Sequence, residues 1–335
     1  MATSLYIGGE KKKMLSYGKN IKDPLGCTHS IDNLVVEYIV KNFNAKSVID
    51  GLASEVFSPT IPGWEKGKFS KTDLPACSAY SWFKSSIWGG GFYIQYGQYK
   101  DFDKVTREWS EYPLIRIKFN PNKYWNSPVL ARLNDWIERE CDTGVIVKFD
   151  YAVDVPARLR DIEVHSRKEP GLYKGTRYYG QRNKHGRLKI YDKKAESDLP
   201  DDTSRVEWTF CYGKPIVFDE VYWLTNGPAP LPDAKELGKG YAVARMLLDI
   251  RALGGDVRKA LGYLDYRTAK KLELYTIGSG VQLLSSCFSQ LSALLVFYCD
   301  ALSVSFNSDG VNKISIGNTF TRVSMDDLEA DELPF

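Results

Sequence analysis

Strict alternation of apolar and polar residues over several short runs constrains this chain more than any other feature. In Val145 to Val155 the odd positions are Val145, Val147, Phe149, Tyr151, Val153 and Val155, whereas Lys148, Asp150 and Asp154 fall between them. Arg187 to Asp192 sets Leu188 and Ile190 against Arg187, Lys189 and Tyr191, with Lys193 next in phase, and Arg205 to Phe210 sets Val206, Trp208 and Phe210 against Arg205, Glu207 and Thr209. Leu114 to Asn120 repeats the pattern, with Ile115, Ile117 and Phe119 on one side and Arg116, Lys118 and Asn120 on the other. Side chains alternate faces along a strand, so these runs predict a sheet with one apolar face and one polar face.

Further strands are expected over Thr176 to Gln181, Ile31 to Val40, and around 78–83 and 91–99, the last two separated by the glycines of WGGG. A helix is expected over Ala45 to Ala53, capped by Asn44. Another starts at Ser127 as N-cap with Pro128 first in the helix, and runs to about Glu140 with Leu130, Leu133, Trp136 and Ile137 on one side. Residues 54–76 and most of 211–232 read as loop. Helices over Ala234 to Leu253 and Val257 to Leu274 break at Gly254-Gly255. The mixture predicts an α+β fold: a basic N-terminal arm (1–30), a sheet domain (31–225), a helical region (233–303) and an acidic tail (304–335). Residues 275–299 carry no charge and are long enough to be weighed as a membrane span, but their serines and Gln290 favour a buried helix.

The net charge is only +3, so basic character has to be local. Six cysteines stand far apart, with neither a CxxC pair nor a Cys/His cluster at zinc spacing, and the N-terminus has no apolar run of the signal-peptide kind. These features predict a reduced, cytoplasmic protein with no membrane partner.

Between positions 167 and 194 ten residues are Lys or Arg (167, 168, 174, 177, 182, 184, 187, 189, 193, 194), against Glu169 and Asp192. Such density is the footprint of a polyphosphate partner, or simply a solvated hairpin. Tyr191 lies within it. Asp150 and Asp154 share one face of a strand, where carboxylates are disfavoured and repel each other. With Glu207 they suggest a site for a hard divalent cation, Mg²⁺ or Mn²⁺, the alternative being that each acid pairs with a neighbouring Lys or Arg. A tyrosine among cations and near acids suggests attack on a phosphodiester by the phenol oxygen, with Lys189 and Lys193 favouring the phenolate. Tyr173, Tyr178 and Tyr179 are rival nucleophiles. Aromatics beside cations can also stack bases, although most pack in cores.

The run YYGQRNKHGRLKIYDKKAES with DDTSRVEWTF resembles the core motif of the replication initiation factor family, the initiators of rolling-circle plasmids and some filamentous phages. KFDYAVDVP resembles the acidic strand preceding that motif, and RIKFNPNK resembles segments of related plasmid initiators. The resemblance covers about Ile31 to Trp223. It implies a ferredoxin-like, relaxase- or Rep-like antiparallel sheet with helices on one face, and an endonuclease and strand transferase acting at origin DNA, double-stranded and single-stranded. It further implies Tyr191 as nucleophile, Asp150, Asp154 and Glu207 as metal ligands, and Arg187, Lys189 and Lys193 as phosphate contacts, with Lys193 also assisting Tyr191; the other basic positions, Arg116, Lys118, Arg177, Arg182 and Lys184, are expected to add DNA contacts. His29, His165 and His185 form no His-x-His pair, unlike the other large rolling-circle and relaxase group. The ending Asp331, Glu332, Leu333, Pro334, Phe335 is similar to the acidic tip of bacterial single-stranded DNA-binding proteins, which implies docking of a host helicase or other replication protein. A DNA-binding protein without chemistry and a tyrosine recombinase or transposase are the alternatives. The sequence leaves open whether the C-terminal helices bind DNA or a second copy of the chain as a homodimer.

Overall fold

The structure, a computed structural model, describes residues 4–7, 10–13, 20–41, 44–68, 81–102, 107, 109–166, 168, 170–182, 184–197, 201–226, 230–253, 255, 257–277, 279–305, 314–316 and 319–321. The alternating runs do become one sheet. Its main strands are β1 (Thr28–Val40), β2 (Glu65–Lys68), β3 (Ser81–Gly89), β4 (Phe92–Phe102), β5 (Trp109–Phe119), β6 (Cys141–Val155), β7 (Pro170–Tyr173), β8 (Thr176–Tyr179), β9 (Arg187–Asp192) and β10 (Ser204–Cys211). They lie in the order β7-β8-β9-β10-β6-β1-β5-β4-β3-β2, each neighbouring pair antiparallel. Val304–Ser305 adds a short parallel pairing to β6. With the helices, this is an α+β fold.

One sheet face is dry. Ile31, Leu34, Phe149, Tyr151, Val153, Leu188, Ile190, Val206, Trp208 and Phe210 join a single core with α1 (Ala45–Gly51), α2 (Pro128–Glu140) and α5 (Leu284–Leu302). Asn44 caps α1 by accepting from the Lys46 and Ser47 N–H groups, and Ser127 caps α2 by accepting from Val129 N–H. The charge-free stretch is thus mostly a helix whose Cys287, Leu291, Leu294 and Tyr298 are buried in this core. Among the described residues no helix is long and apolar enough to cross a membrane.

Several boundaries differ from expectation. Strand β1 starts at Thr28 rather than Ile31, and Asp23, Cys27 and His29 are buried, so the end of the basic arm is part of the packed fold. The expected loop after residue 54 contains β2, which pairs with β3. WGGG gives Gly89 to β3 and leaves Gly90 and Gly91, at φ +54° and +85°, as a two-residue hairpin turn that non-glycine residues adopt poorly. The predicted helix over 234–253 is interrupted at Gly238, where φ is +57°. It resumes as α3 (Gly240–Ala252), which packs with α4 (Tyr266–Thr276) around a separate small core of Leu237, Ala244, Leu247, Leu261 and Leu272. The five described cysteines are free thiols, three of them buried.

Alternation in β6 is broken by a bulge. Val35 pairs with Lys148 and Val36 with Ile146, so one extra residue is accommodated at Val147 and the apolar phase changes. Ile146 therefore joins the main core, Val147 does not, and Val145 is only half-buried, contrary to the simple odd-position pattern.

Helix α5 is tied to the sheet by a buried polar chain. The Tyr151 hydroxyl donates to the Cys287 carbonyl at 3.1 Å and lies 2.6 Å from His29 Nδ1, while His29 Nε2 lies 3.0 Å from Asp23. Burial lowers the His29 pKa from its ordinary value despite the bond to Asp23. Removing one hydroxyl from this chain leaves buried partners unsatisfied. Tyr151→Phe is expected to destabilise the fold by about 1–3 kcal/mol in urea unfolding, and an unchanged midpoint would show that the chain does not hold α5.

Candidate nucleic-acid interface

Register across three neighbouring strands, β9, β10 and β6, turns the polar positions into a grid. Arg187 is opposite Thr209 and Thr209 opposite Asp150; Lys189 is opposite Glu207 and Glu207 opposite Ala152; Tyr191 is opposite Arg205 and Arg205 opposite Asp154. Cross-strand partners share a face, so Tyr191, Lys189, Glu207, Asp150 and Asp154 all lie on the polar side of the sheet. Tyr191 is half-buried on that side rather than in the apolar core.

A cavity of about 720 Å³ opens over this grid, lined among others by Asp32, Asn33, Lys118, Asp150, Arg182 and Glu207. Asp150 accepts from Thr209 Oγ1 at 2.7 Å and from Asn33 Nδ2 at 3.1 Å. Glu207 is ion-paired with Lys189. Burial, and then the like charge of Asp150, push the Glu207 carboxyl up to about 7 in spite of that lysine. At Glu207 itself the one ion pair does not offset burial, although the cavity lining as a whole also carries Lys118, Lys123, Lys148 and Arg182.

Asp154 stands apart from this pair of carboxylates. Arg205 donates to both of its oxygens, at 2.5 and 2.7 Å, the bidentate geometry that satisfies a carboxylate most fully. The third acid of the cavity is Asp32, which no pattern in its own strand marks out. It is the extra residue of a second bulge, between the pairs Ile31–Tyr151 and Asn33–Asp150, which lets consecutive residues both reach the polar face. Burial acts to raise the Asp32 pKa, but Arg205 at 3.1 Å and hydrogen bonds from Asn120 and Asn122 bring it below the ordinary value. Among the described residues no group of three His, Cys, Asp or Glu forms a ready-made metal cage. Asp150 and Glu207 nevertheless suit Mg²⁺ or Mn²⁺, since such ions commonly use one or two carboxylates and complete their shell with water and substrate phosphate.

The lysines beside Tyr191 do not favour its phenolate. Lys189 faces Glu207, and Lys193 bonds Glu196 Oε2 at 2.5 Å with its ammonium 5.9 Å from the Tyr191 ring centroid. Burial and the charge of Glu207 raise the Tyr191 pKa well above its usual value, against a downward pull from Arg205. The neutral phenol is the resting form.

The expected phosphate contacts divide by face. Lys118 and Arg182 line the cavity, Lys184 is exposed on the loop, and Arg187 stacks over the Tyr178 ring at 4.6 Å. Arg116 is buried and ion-paired with Glu37, which is its cross-strand partner. Arg177 lies on the other face, where it donates to the carbonyls of Leu159 and Ile162 at 2.8 and 2.9 Å. Both arginines therefore tether the fold. Tyr179, a rival nucleophile, is buried in the apolar core. The tail from Asp331 to Phe335 lies outside the described residues.

No protein-family model matches the chain, and no curated protein matches it. Among solved structures, a rolling circle replication initiator protein from Geobacillus stearothermophilus aligns at 12% identity over 56% of this chain and 75% of its own, with a TM-score of 0.30. At that level of superposition the comparison carries no argument about this chain's chemistry.

The raised Glu207 carboxyl has a consequence for stability. Its folded pKa, about 7, lies above the ordinary 4.5, so its contribution is fully present below pH 4.5 and is lost as pH rises through 7. Between those values, wild-type stability is expected to fall relative to Glu207→Gln by about 3 kcal/mol. Parallel thermal-melt profiles of the two proteins across that range would refute this assignment.

Proposed function

We propose that this protein is a replication initiator that nicks and rejoins one DNA strand through Tyr191. The observation that carries the reading is the common face shared by a half-buried tyrosine, two neighbouring carboxylates of which one is held well above its ordinary pKa, and the cations Lys118 and Arg182 of the cavity. The same reading assigns the sheet to the ferredoxin-like, Rep-like arrangement that the motif resemblance implies.

In this mechanism Arg182 and Lys118 orient a phosphodiester over the cavity, where backbone phosphates gain most from fixed cations. The Tyr191 oxygen attacks phosphorus, the phosphorus–O3′ bond breaks, and the products are a 5′-phosphotyrosyl link and a 3′-hydroxyl. The phenol proton needs an acceptor. With Glu207 committed to the ion described next, the phenol proton passes to water in the open cavity, and water supplies the proton that the leaving O3′ takes up. Asp150 and Glu207 would hold a divalent ion, which supplies charge withdrawal from the phosphate. Arg205, opposite Tyr191, lowers the phenol pKa and at the same time fixes Asp154 and Asp32. Lys193 positions the phenol ring from the first turn of the helix that follows β9.

A second reading, origin binding without chemistry, draws on the resting phenol, whose flanking lysines are spent on Glu207 and Glu196. One experiment separates the two. Wild-type protein incubated with Mn²⁺ and a library of single-stranded oligonucleotides is expected to yield a DNA-linked peptide attached at Tyr191. Tyr191→Phe is expected to bind the same DNA and form no adduct. Mn²⁺ at pH 8 should also raise the melting temperature of wild type and not of Glu207→Gln. Attachment at Tyr173 or Tyr178 would move the nucleophile, and no adduct at all would leave only binding. In the same reading the acidic tail recruits a helicase, so deletion of 333–335 should abolish helicase pull-down while sparing the adduct.

A further inference from the structure

Three tyrosines on three successive strands each carry a cation against their ring. Lys174 Nζ lies 5.5 Å from the Tyr173 centroid, Arg187 Cζ 4.6 Å from that of Tyr178, and Lys193 Nζ 5.9 Å from that of Tyr191. Register places all three rings on the polar face. Tyr178 is opposite Lys189, the neighbour of Tyr191 in phase, and Gly171, opposite Tyr178, is in phase with Tyr173. Strand β7 is the edge of the sheet, and Tyr173 is 63% exposed there, beside the turn formed by Lys174 and Gly175. A large aromatic on an outer edge strand packs no core.

A groove of about 460 Å³ runs along the rings of Tyr178 and Tyr191, lined also by Lys174, Lys189 and the acids Asp192 and Glu196, with Tyr173 next to Lys174 at its outer end. We propose that the outer strands β7 to β9 form a track for single-stranded DNA, in which unpaired bases stack on Tyr173 and Tyr178 and lead the strand to Tyr191. The inference rests on the nicking reading for the end point of the track. The acids decide its orientation. Asp192 and Glu196 repel phosphate on the helix side, so bases enter the groove while the sugar-phosphate backbone follows Lys174 and Arg187.

Duplex DNA does not fit this recognition, because its base faces are already stacked and hidden. A strand opened at an origin presents them. The chemistry required of the ligand is therefore a flexible polyanion with free aromatic faces, with little demand on base identity.

Binding of fluorescein-labelled oligo-dT, and of a matched duplex, by the full chain tests the track. Tyr173→Ala and Tyr178→Ala are each expected to weaken oligo-dT binding about tenfold and to leave duplex binding unchanged. Tyr178→Phe, which keeps the stacking ring, should bind as wild type. Leu172→Ala provides a control on the same hairpin, since Leu172 is 74% exposed but faces the opposite side. Wild-type oligo-dT affinity in both alanine variants, or equal loss from Leu172→Ala, would overturn the track. Failure of the nicking reading looks different: no adduct forms with wild-type protein, while the tyrosine variants still divide single strand from duplex.

Discussion

The Glu207 carboxylate is buried on a sheet face that offers it a single lysine, and that imbalance organises the rest of the polar surface. A buried carboxylate with a fully committed partner would be an ordinary structural ion pair, like Arg205 with Asp154 or Arg116 with Glu37. Glu207 differs because Asp150 stands on the next strand and adds a like charge across the cavity. Desolvation and repulsion act in the same direction, and Lys189 cannot cancel both. The result is a site that gains from additional positive charge, whether a proton or a hard cation. Burial, and next the charge of Glu207, hold the adjacent Tyr191 phenol above its ordinary pKa, so neutralising Glu207 would remove part of that barrier.

That balance depends on two places where the sheet departs from regularity. Had β1 paired with β6 without interruption, Asp32 and Asn33 would point to opposite faces, and only one could reach the cavity. The bulge at Asp32 brings both, one to Arg205 and the other to Asp150. The bulge at Val147 changes the apolar phase so that Ile146 and Phe149 both meet the core. Below the sheet, α5 closes the apolar side and bonds through Cys287 to Tyr151, the residue next to Asp150 in β6. The helix that lacks charge and the strand that carries the acids are therefore mechanically one unit.

The strands around the site were legible because each is buried on one face, and an alternating pattern survives only under that condition. Arg187–Asp192 matches its expected limits, and the β10 and α2 limits differ by at most one residue. Charge was a poorer guide. Arg116 and Arg177 look like phosphate contacts in a list of basic residues, but one neutralises a cross-strand glutamate and the other reaches carbonyls on the opposite face. Asp154 looks like the twin of Asp150 by spacing, yet its cross-strand neighbour is an arginine where that of Asp150 is a threonine. Pairing partners come from distant segments, so the fate of each charge was not readable from its own strand. Asp32 was missed for a related reason: a bulge carries no composition signal when its extra residue is a small polar one.

The edge of the sheet adds a constraint of another kind. Exposed edge strands invite unwanted pairing, and proteins blunt them with short strands, prolines and charges. Strand β7 has four residues, starts at Pro170 and turns at Lys174, yet it leaves Leu172 and Tyr173 in solvent on opposite faces. Tyr173 has a cation against its ring, as do the two tyrosines inward of it. If protection of the edge were the whole purpose, a polar residue would serve better than tyrosine on the face that carries the acids. On the proposed track, aromatic rings that go from largely exposed to half-buried, each with a cation, would let a single strand exchange water for stacking as it approaches the cavity.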